Sequence, residues 1–237
     1  MIEAIILAGG FGTRLQSVVK DVPKPMADIQ GRPFLSYIMD FLAHQGVQKV
    51  LLSVGYRHEV IERHFGTSYG RLDIEYIIEH EPLGTGGAIR EALSHAQEEN
   101  VIILNGDTFF AIDVKAMFEF HCRSNADITI ALKPLQNSER YGTVVMGQNQ
   151  RIIGFREKSA QASGYINGGV YIVKRTIRGQ VQEAARTFSF EEFLQKKITK
   201  MAAYAFVSED FFIDIGIPVD YKKAQEMLVS ALKERNV

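Results

Sequence analysis

Short apolar runs alternate with amphipathic stretches through the first half of the chain. Glu3 to Leu7, Lys49 to Val54, Leu72 to Ile78 and Val101 to Leu104 are rich in Ile, Val and Leu over a strand's length, which predicts buried strands. Between them, Pro33 to Gln45 puts Phe34, Leu35, Ile38, Met39 and Leu42 on one helical face. Pro33 suits a first helical turn and Gly46 a C-terminal stop. Glu59 to Phe65 and Gly86 to Gln97 are the next helices. Such alternation predicts an α/β fold, a mostly parallel sheet with helices on both faces. Ligands of such sheets bind beyond the carboxyl ends of the strands.

The pattern changes in the second half. Asp127 to Leu132, Thr143 to Met146, Arg151 to Phe155 and Gly164 to Val173 read as strands with few helices between them. Ser189 with Glu192 three residues on has the form of a capping box and opens a helix. Met201 to Val207 and Phe211 to Ile213 read as short strands, and Pro218 to Lys233 as a terminal helix. No low-complexity linker or internal repeat divides the sequence. One domain over 1–237 is therefore expected, with residues 1–125 as an alternating α/β half and 126–237 as a smaller, β-rich half walling the crevice.

Composition narrows the chemistry. The 27 basic and 28 acidic side chains nearly cancel, and no like-charge tract marks a nucleic-acid or membrane surface. Neither a basic, apolar leader nor a run of membrane-spanning length is present, so a soluble cytoplasmic protein is the default. The one cysteine, Cys122, excludes an intrachain disulfide and a multi-cysteine zinc site; on a predicted helix it reads as a small, partly buried apolar group.

Two glycine clusters and a few charges carry the candidate chemistry. Leu7-Ala8-Gly9-Gly10-Phe11-Gly12-Thr13-Arg14 follows the first strand. So little side chain lets backbone N–H groups approach an anion, and Arg14 can grip phosphate in bidentate fashion. The loop lacks G-x-x-x-x-G-K-[ST], and Leu15 stands where a dinucleotide fingerprint needs its third glycine. Asp107, after Asn105-Gly106 at a strand's carboxyl end, either suits Mg²⁺ or hydrogen-bonds its own turn. Asp214, enclosed in Phe211-Phe212-Ile213-Asp214-Ile215-Gly216, must pair with a cation or emerge at a strand end. Lys24, held extended between Pro23 and Pro25, either reaches a phosphate or is a solvated surface lysine. Glu81-Pro82-Leu83-Gly84-Thr85-Gly86-Gly87 either presses its backbone against a base or is a helix-entry turn. The histidines show no metal-binding spacing.

Taken in order, these segments resemble the sugar-1-phosphate nucleotidyltransferases: Leu7 to Leu15, Pro23-Lys24-Pro25, Glu81 to Ala88, Asn105-Gly106-Asp107, Tyr141-Gly142, Glu157-Lys158, Asn167-Gly168-Gly169 and Asp214-Ile215-Gly216. The resemblance spans nearly the whole chain and implies a single Rossmann-like, glycosyltransferase-A-like domain, with 1–125 as its nucleotide-binding half and 126–237 as its sugar-phosphate-binding half. It implies transfer of a nucleoside monophosphate from an NTP to a sugar 1-phosphate, with Mg²⁺ and release of pyrophosphate. Gln16-Ser17-Val18-Val19, Asp21 to Met26 and Glu81 to Ala88 are most similar to the branch that joins GTP to D-glycero-α-D-manno-heptose 1-phosphate, forming GDP-heptose for bacterial surface polysaccharide.

On that resemblance, Leu7, Ala8, Gly9, Gly10, Gly12, Thr13 and Arg14 hold the triphosphate, and Lys24 neutralises charge at the reacting phosphate. Asp107 and Asp214 hold the metal, while Glu81 and the backbone near Gly86 read guanine. Tyr141, Gly142, Glu157, Asn167 and Gly168 hold the sugar and Lys158 its phosphate; Arg14, Lys24 and Asp107 are the catalytic set. Alternatives are an enzyme using mannose 1-phosphate or making UDP- or CDP-sugars, and a non-catalytic regulator that keeps the fold. A homo-oligomer is compatible with the sequence.

Overall fold

A computed structural model describes residues 2–15, 17–19, 22–136, 141–157, 163–182 and 184–233. Lys158, and Gln16 and Asp21 of the motif flank, lie outside the described residues. The strands of the first half are β1 (Glu3–Leu7), β2 (Asp28–Ile29), β3 (Arg32–Pro33), β4 (Lys49–Val54), β5 (Ser68–Tyr69), β6 (Leu72–Ile78), β7 (Asn100–Asn105) and β8 (Thr108–Phe110). Those of the second are β9 (Ile128–Leu135), β10 (Thr143–Met146), β11 (Ile152–Arg156), β12 (Gly164–Lys174), β13 (Ala203–Val207) and β14 (Phe212–Asp214). The helices are α1 (Phe34–His44), α2 (His58–Phe65), α3 (Gly84–His95), α4 (Val114–Arg123), α5 (Ile177–Gln182), α6 (Phe190–Lys197) and α7 (Pro218–Lys233).

The apolar runs become the middle of one mixed sheet, in the order β11-β10-β12-β7-β1-β4-β6-β5. Strands β7, β1, β4 and β6 are parallel to one another. On the far side β12 runs antiparallel to β7, β9 and β10, and β13 adds to β9 in parallel. The sheet thus continues through residue 125/126, because β12 of the second half pairs with β7 of the first.

Alternate side chains on each strand face opposite sides, so the sheet separates two cores. Ala4, Ile6, Val50, Leu52, Ile102 and Leu104 face α1 and α7, whose Phe34, Leu35, Ile38, Leu42, Ala224 and Leu228 are buried against them. Ile5, Leu51, Val101 and Ile103 face α3, α5 and α6 through Ile89, Leu93, Ile177, Val181, Phe190 and Leu194. Residues buried on both faces explain why these strands read as continuous apolar runs rather than alternating ones.

Helix and strand ends follow local chemistry. Pro33 is the N-cap of α1 rather than its first residue, and α3 begins at Gly84 instead of Gly86. Ser189 caps α6 as its spacing predicts, accepting the Glu192 N–H. Cys122 corrects an expectation: it lies on α4, but on the exposed side, because Met117 and His121 form that helix's buried face. Among the described residues no helix is long and apolar enough to cross a membrane.

His121 is the one buried imidazole in this packing. Its Nδ1 lies 2.8 Å from Thr129 Oγ1 and its Nε2 3.2 Å from Asn100 Oδ1. An amide oxygen only accepts, so Nε2 carries the proton and Nδ1 accepts from the Thr129 hydroxyl. Burial, aided by the Lys174 cation, pushes the imidazole down to about 4. The folded chain therefore resists a proton that the unfolded chain takes up at ~6.5. This contribution is intact above ~6.5 and is lost as the pH falls towards 4, amounting to about 2 kcal/mol between pH 7 and pH 5. Urea unfolding at those two pH values is expected to show that loss, and His121→Gln to remove most of it. Equal slopes in both proteins would refute the assignment.

Candidate active site

Because β1, β4, β6 and β7 are parallel, their carboxyl ends open on one side, and the turns that follow them line a cavity of about 740 Å³. Backbone bonds hold these turns together. Ala8 N–H donates to Ser53 O at 2.7 Å, Glu79 N–H to Val54 O at 2.7 Å, and Gly106 N–H to Leu7 O at 2.9 Å.

Each glycine of the first loop has a different reason. A Cβ on Gly9 would lie 2.6 Å from Glu79 Oε1. Gly12 has φ +61°, and a Cβ there would meet Lys24 Cβ at 2.9 Å. Around Gly10 a Cβ would find nothing within 4 Å, so that glycine is not required by the protein's own packing. Its bare backbone faces the cavity, as an anion-binding turn requires. Leu7, Ala8, Thr13 and Arg14 line the same cavity, and buried Leu15 anchors the turn behind Arg14.

Lys24 is not a surface lysine. It opens a 3-10 turn, Lys24–Met26, set by Pro23 and Pro25, and its side chain is only 9% exposed. Its Nζ lies 2.5 Å from Asp107 Oδ2 and 4.0 Å from Asp214 Oδ1. The two carboxylates meet because β14 pairs with β8 in antiparallel register, placing Asp214 opposite Thr108. Ile215 N–H then donates to Asp107 O at 3.0 Å. Asp214 is both paired and at a strand end, and its Oδ1 also accepts the Gly216 N–H at 2.6 Å. Burial, then the Asp107 charge, raises its carboxyl above the usual range against the pull of Lys24. One ammonium thus leaves surplus negative charge at this point.

That donor set suits Mg²⁺. Two carboxylates, Asp107 and Asp214, offer hard oxygens at the cavity wall, and Mg²⁺ is typically held by one or two carboxylates plus substrate phosphates. Among the described residues no cluster of three or more His, Cys, Asp or Glu forms an all-protein cage.

The second glycine cluster serves mainly the fold. Gly86 N–H donates to Phe188 O at 3.0 Å, and a Cβ on Gly86 would strike the Phe188 ring at 2.1 Å. Gly86 does not line the cavity, whereas Gly84 and Thr85 beside it do. Glu81 lines the rim, exposed and paired with Arg186 at 2.9 Å. Glu79, two residues earlier, sits deeper. It accepts from Ser53 Oγ at 2.9 Å and Leu83 N–H at 3.3 Å, and burial raises its carboxyl.

Glu191 is a cavity residue that motif reading passed over, and Glu79 is one that it ranked only behind Glu81. The signal for Glu79 was its position one residue past the strand Leu72–Ile78, where the parallel-sheet rule puts ligands. Sequence offered no such sign for Glu191.

The sugar-side residues gather differently. Thr143 pairs with Arg156 and Ile166, which brings Tyr141, Gly142 and Glu157 to one end of β10, β11 and β12. Asn167 Nδ2 donates to Tyr171 Oη at 2.7 Å, and its Oδ1 accepts the Gly169 N–H at 3.0 Å. Gly168 packs against the Phe110 ring, and Gly169 against Asn105, which lines the cavity. None of Tyr141, Gly142, Glu157, Asn167 and Gly168 lines the cavity; Asn167 and Gly168 precede the stretch of β12 that pairs with β7, and the other three flank β10 and β11.

A family model, nucleotidyl transferase, matches residues 3–230. The chain is 52% identical over 227 residues to the D-glycero-alpha-D-manno-heptose 1-phosphate guanylyltransferase of Aneurinibacillus thermoaerophilus, covering 95% of this chain and 98% of the relative. It is 45% identical to the enzyme of the same name from Campylobacter jejuni subsp. jejuni, covering 92% and 96%. The crystal structure of HddC from Yersinia pseudotuberculosis complexed with GMP-PN superposes with a TM-score of 0.84 at 39% identity, covering 96% of this chain and all of the other.

Proposed function

The chain belongs to the nucleotidyl transferase family, and from that membership we propose that it transfers GMP from GTP to D-glycero-α-D-manno-heptose 1-phosphate, releasing pyrophosphate. The observation that carries the reading is the buried ammonium of Lys24 between Asp107 and Asp214, beside an open glycine turn. The heptose rests on the two relatives of that name, which this chain matches over nearly their full lengths.

The acceptor is a phosphate monoester, already anionic at neutral pH, so in-line attack on the α-phosphorus needs no general base. Positioning and charge stabilisation do the work. Gly10 and its neighbours present N–H groups to the polyphosphate, and Arg14 adds a charge at the cavity wall. Lys24 holds its proton against the phosphoryl oxygens where charge grows, and a rigid turn fixes its distance. Mg²⁺ at Asp107 and Asp214 supplies further neutralisation of the polyphosphate. Tyr141, Gly142, Glu157, Asn167 and Gly168 hold the sugar.

For the base, Glu79 is the better-placed carboxylate and Glu81 flanks it. Guanine offers N1–H and N2–H donors side by side, which two ionised oxygens accept; an amide there offers one acceptor and one donor and suits adenine. Glu79→Gln is therefore expected to erode the GTP-over-ATP ratio of kcat/KM by tenfold or more. Glu81→Gln should change it less, and the reverse order would return the role to Glu81.

The test of the whole reading is pyrophosphate release with GTP, comparing heptose 1-phosphate with mannose 1-phosphate. Faster turnover of mannose 1-phosphate would overturn the heptose assignment, and preference for UTP or CTP the guanine one.

A further inference from the structure

One carboxylate in the cavity has no part in the chemistry described so far. Glu191, in the first turn of α6, lines the cavity. Its Oε2 accepts from Thr85 Oγ1 at 3.1 Å and from Ser189 Oγ at 2.8 Å. Thr85 Oγ1 in turn accepts the Phe190 N–H at 2.8 Å. The start of α3 and the start of α6 thus lock this side chain from two directions. Both hydroxyls reach the same oxygen; among the described residues none reaches Oε1. A carboxylate immobilised through one oxygen, with the other left for the cavity, is a preset acceptor for ligand hydroxyls.

Strand order says which ligand it meets. Across the sheet from β6 to β12, Glu79 follows β6, the glycine turn follows β1, Asp107 follows β7, and Asn167 and Tyr171 lie on β12. A nucleotide with its base at Glu79 and its phosphates at Gly10 and Asp107 leaves the β12 side for the acceptor. Glu191 bridges towards that side: its Oε2 is held by Thr85 at the start of α3, while its neighbour Phe190 packs on Tyr171 of β12. The Tyr171 phenol is pushed up first by burial and then by the charge of Glu191, with Asp107 adding to it. Tyr171 is also the partner of Asn167 and stands edge-on to Phe190 at 5.4 Å.

We propose that Glu191 is a specificity-determining residue of the acceptor site, accepting hydrogen bonds from hydroxyls of the sugar 1-phosphate through its unengaged oxygen. The proposal rests on the nucleotidyltransferase reading above. It places a fixed negative acceptor beside the sugar, where an ionised carboxylate takes two hydroxyl donors and a deoxygenated analogue leaves it unpaired.

The test is steady-state kinetics of Glu191→Gln. The amide oxygen keeps the bonds from Thr85 and Ser189, so the melting temperature of the free protein should hold. KM for the sugar 1-phosphate should rise about ten- to a hundredfold, the scale of hydrogen bonds to a charged group, while KM for GTP stays within about twofold. Glu191→Asp, which keeps the charge but withdraws it by one methylene, should give a smaller rise in the sugar KM alone, and it stands in if the first variant does not fold. An unchanged sugar KM, or an equal rise for GTP, overturns the proposal. Wild-type turnover on a panel of sugar 1-phosphates comes first. If heptose 1-phosphate is not the acceptor, the heptose reading fails by itself, and Glu191 is tested on whichever sugar is used; if none is used, both fall.

Discussion

Lys24→Met is expected to lower kcat by on the order of a hundred- to a thousandfold, with KM for GTP changing far less. Methionine keeps the buried stem against which Gly12 packs, so the turn survives and only the charge is lost. Such a charge acts on negative charge that appears as the α-phosphorus is attacked, and removing one preorganised group of this kind from a water-poor site costs about that much. The substrate's phosphates still have the glycine turn and Arg14 to bind. A fall in kcat and kcat/KM together marks an interaction made in the transition state, whereas a raised KM at constant kcat would make Lys24 a ground-state anchor. Without the ammonium, Asp107 also faces Asp214 unshielded, so the Asp214 carboxyl, already held above its usual range, should rise further. The acid limb of the pH–rate profile should move to higher pH with it.

The second large effect concerns a glycine with no ligand role. A Cβ on Gly106 would lie 2.7 Å from the Leu7 carbonyl oxygen and 3.4 Å from Ala8 Cα, which are backbone atoms of the central strand. A flexible side chain can move aside; this strand cannot. Gly106→Ala is expected to cost about 1–3 kcal/mol of stability, the usual range for overpacking a well-filled interior. It should appear as a lower urea midpoint at unchanged slope. Because the same contact sets Asp107 against the glycine turn, kcat should fall even where the variant remains folded. A midpoint equal to wild type would show that the two turns can separate without cost.

What the sequence made legible, and what it hid, follows the range of the interactions. Strands buried on both faces need apolar runs, so β1, β4 and β7 were readable from composition alone, and the glycine turn was readable because its scarcity of side chain is itself a sequence pattern. The meeting of Asp107 with Asp214 was not. It depends on pairing between two three-residue strands, β8 and β14, too short to carry a pattern and far apart along the chain. Lys24 looked like any lysine until the fold buried it. The packing role of Gly86 was hidden, because a glycine required by a neighbouring aromatic ring looks the same in sequence as one required by a ligand. Glu191 was hidden inside the capping box that Ser189 and Glu192 announce, and a helix start explains that motif without reference to a cavity.

The late position of β14 has a consequence for how the protein is made. The ribosome delivers the glycine turn, Lys24 and Asp107 well before Asp214, and β14 can dock on β8 only when nearly all of the sheet has been synthesised. Until then Lys24 and Asp107 form a neutral pair with no second acid beside them. On the roles proposed above, a nascent chain can therefore meet a nucleotide before it has both carboxylates for a metal, and the ability to spend GTP arrives only with the final strand.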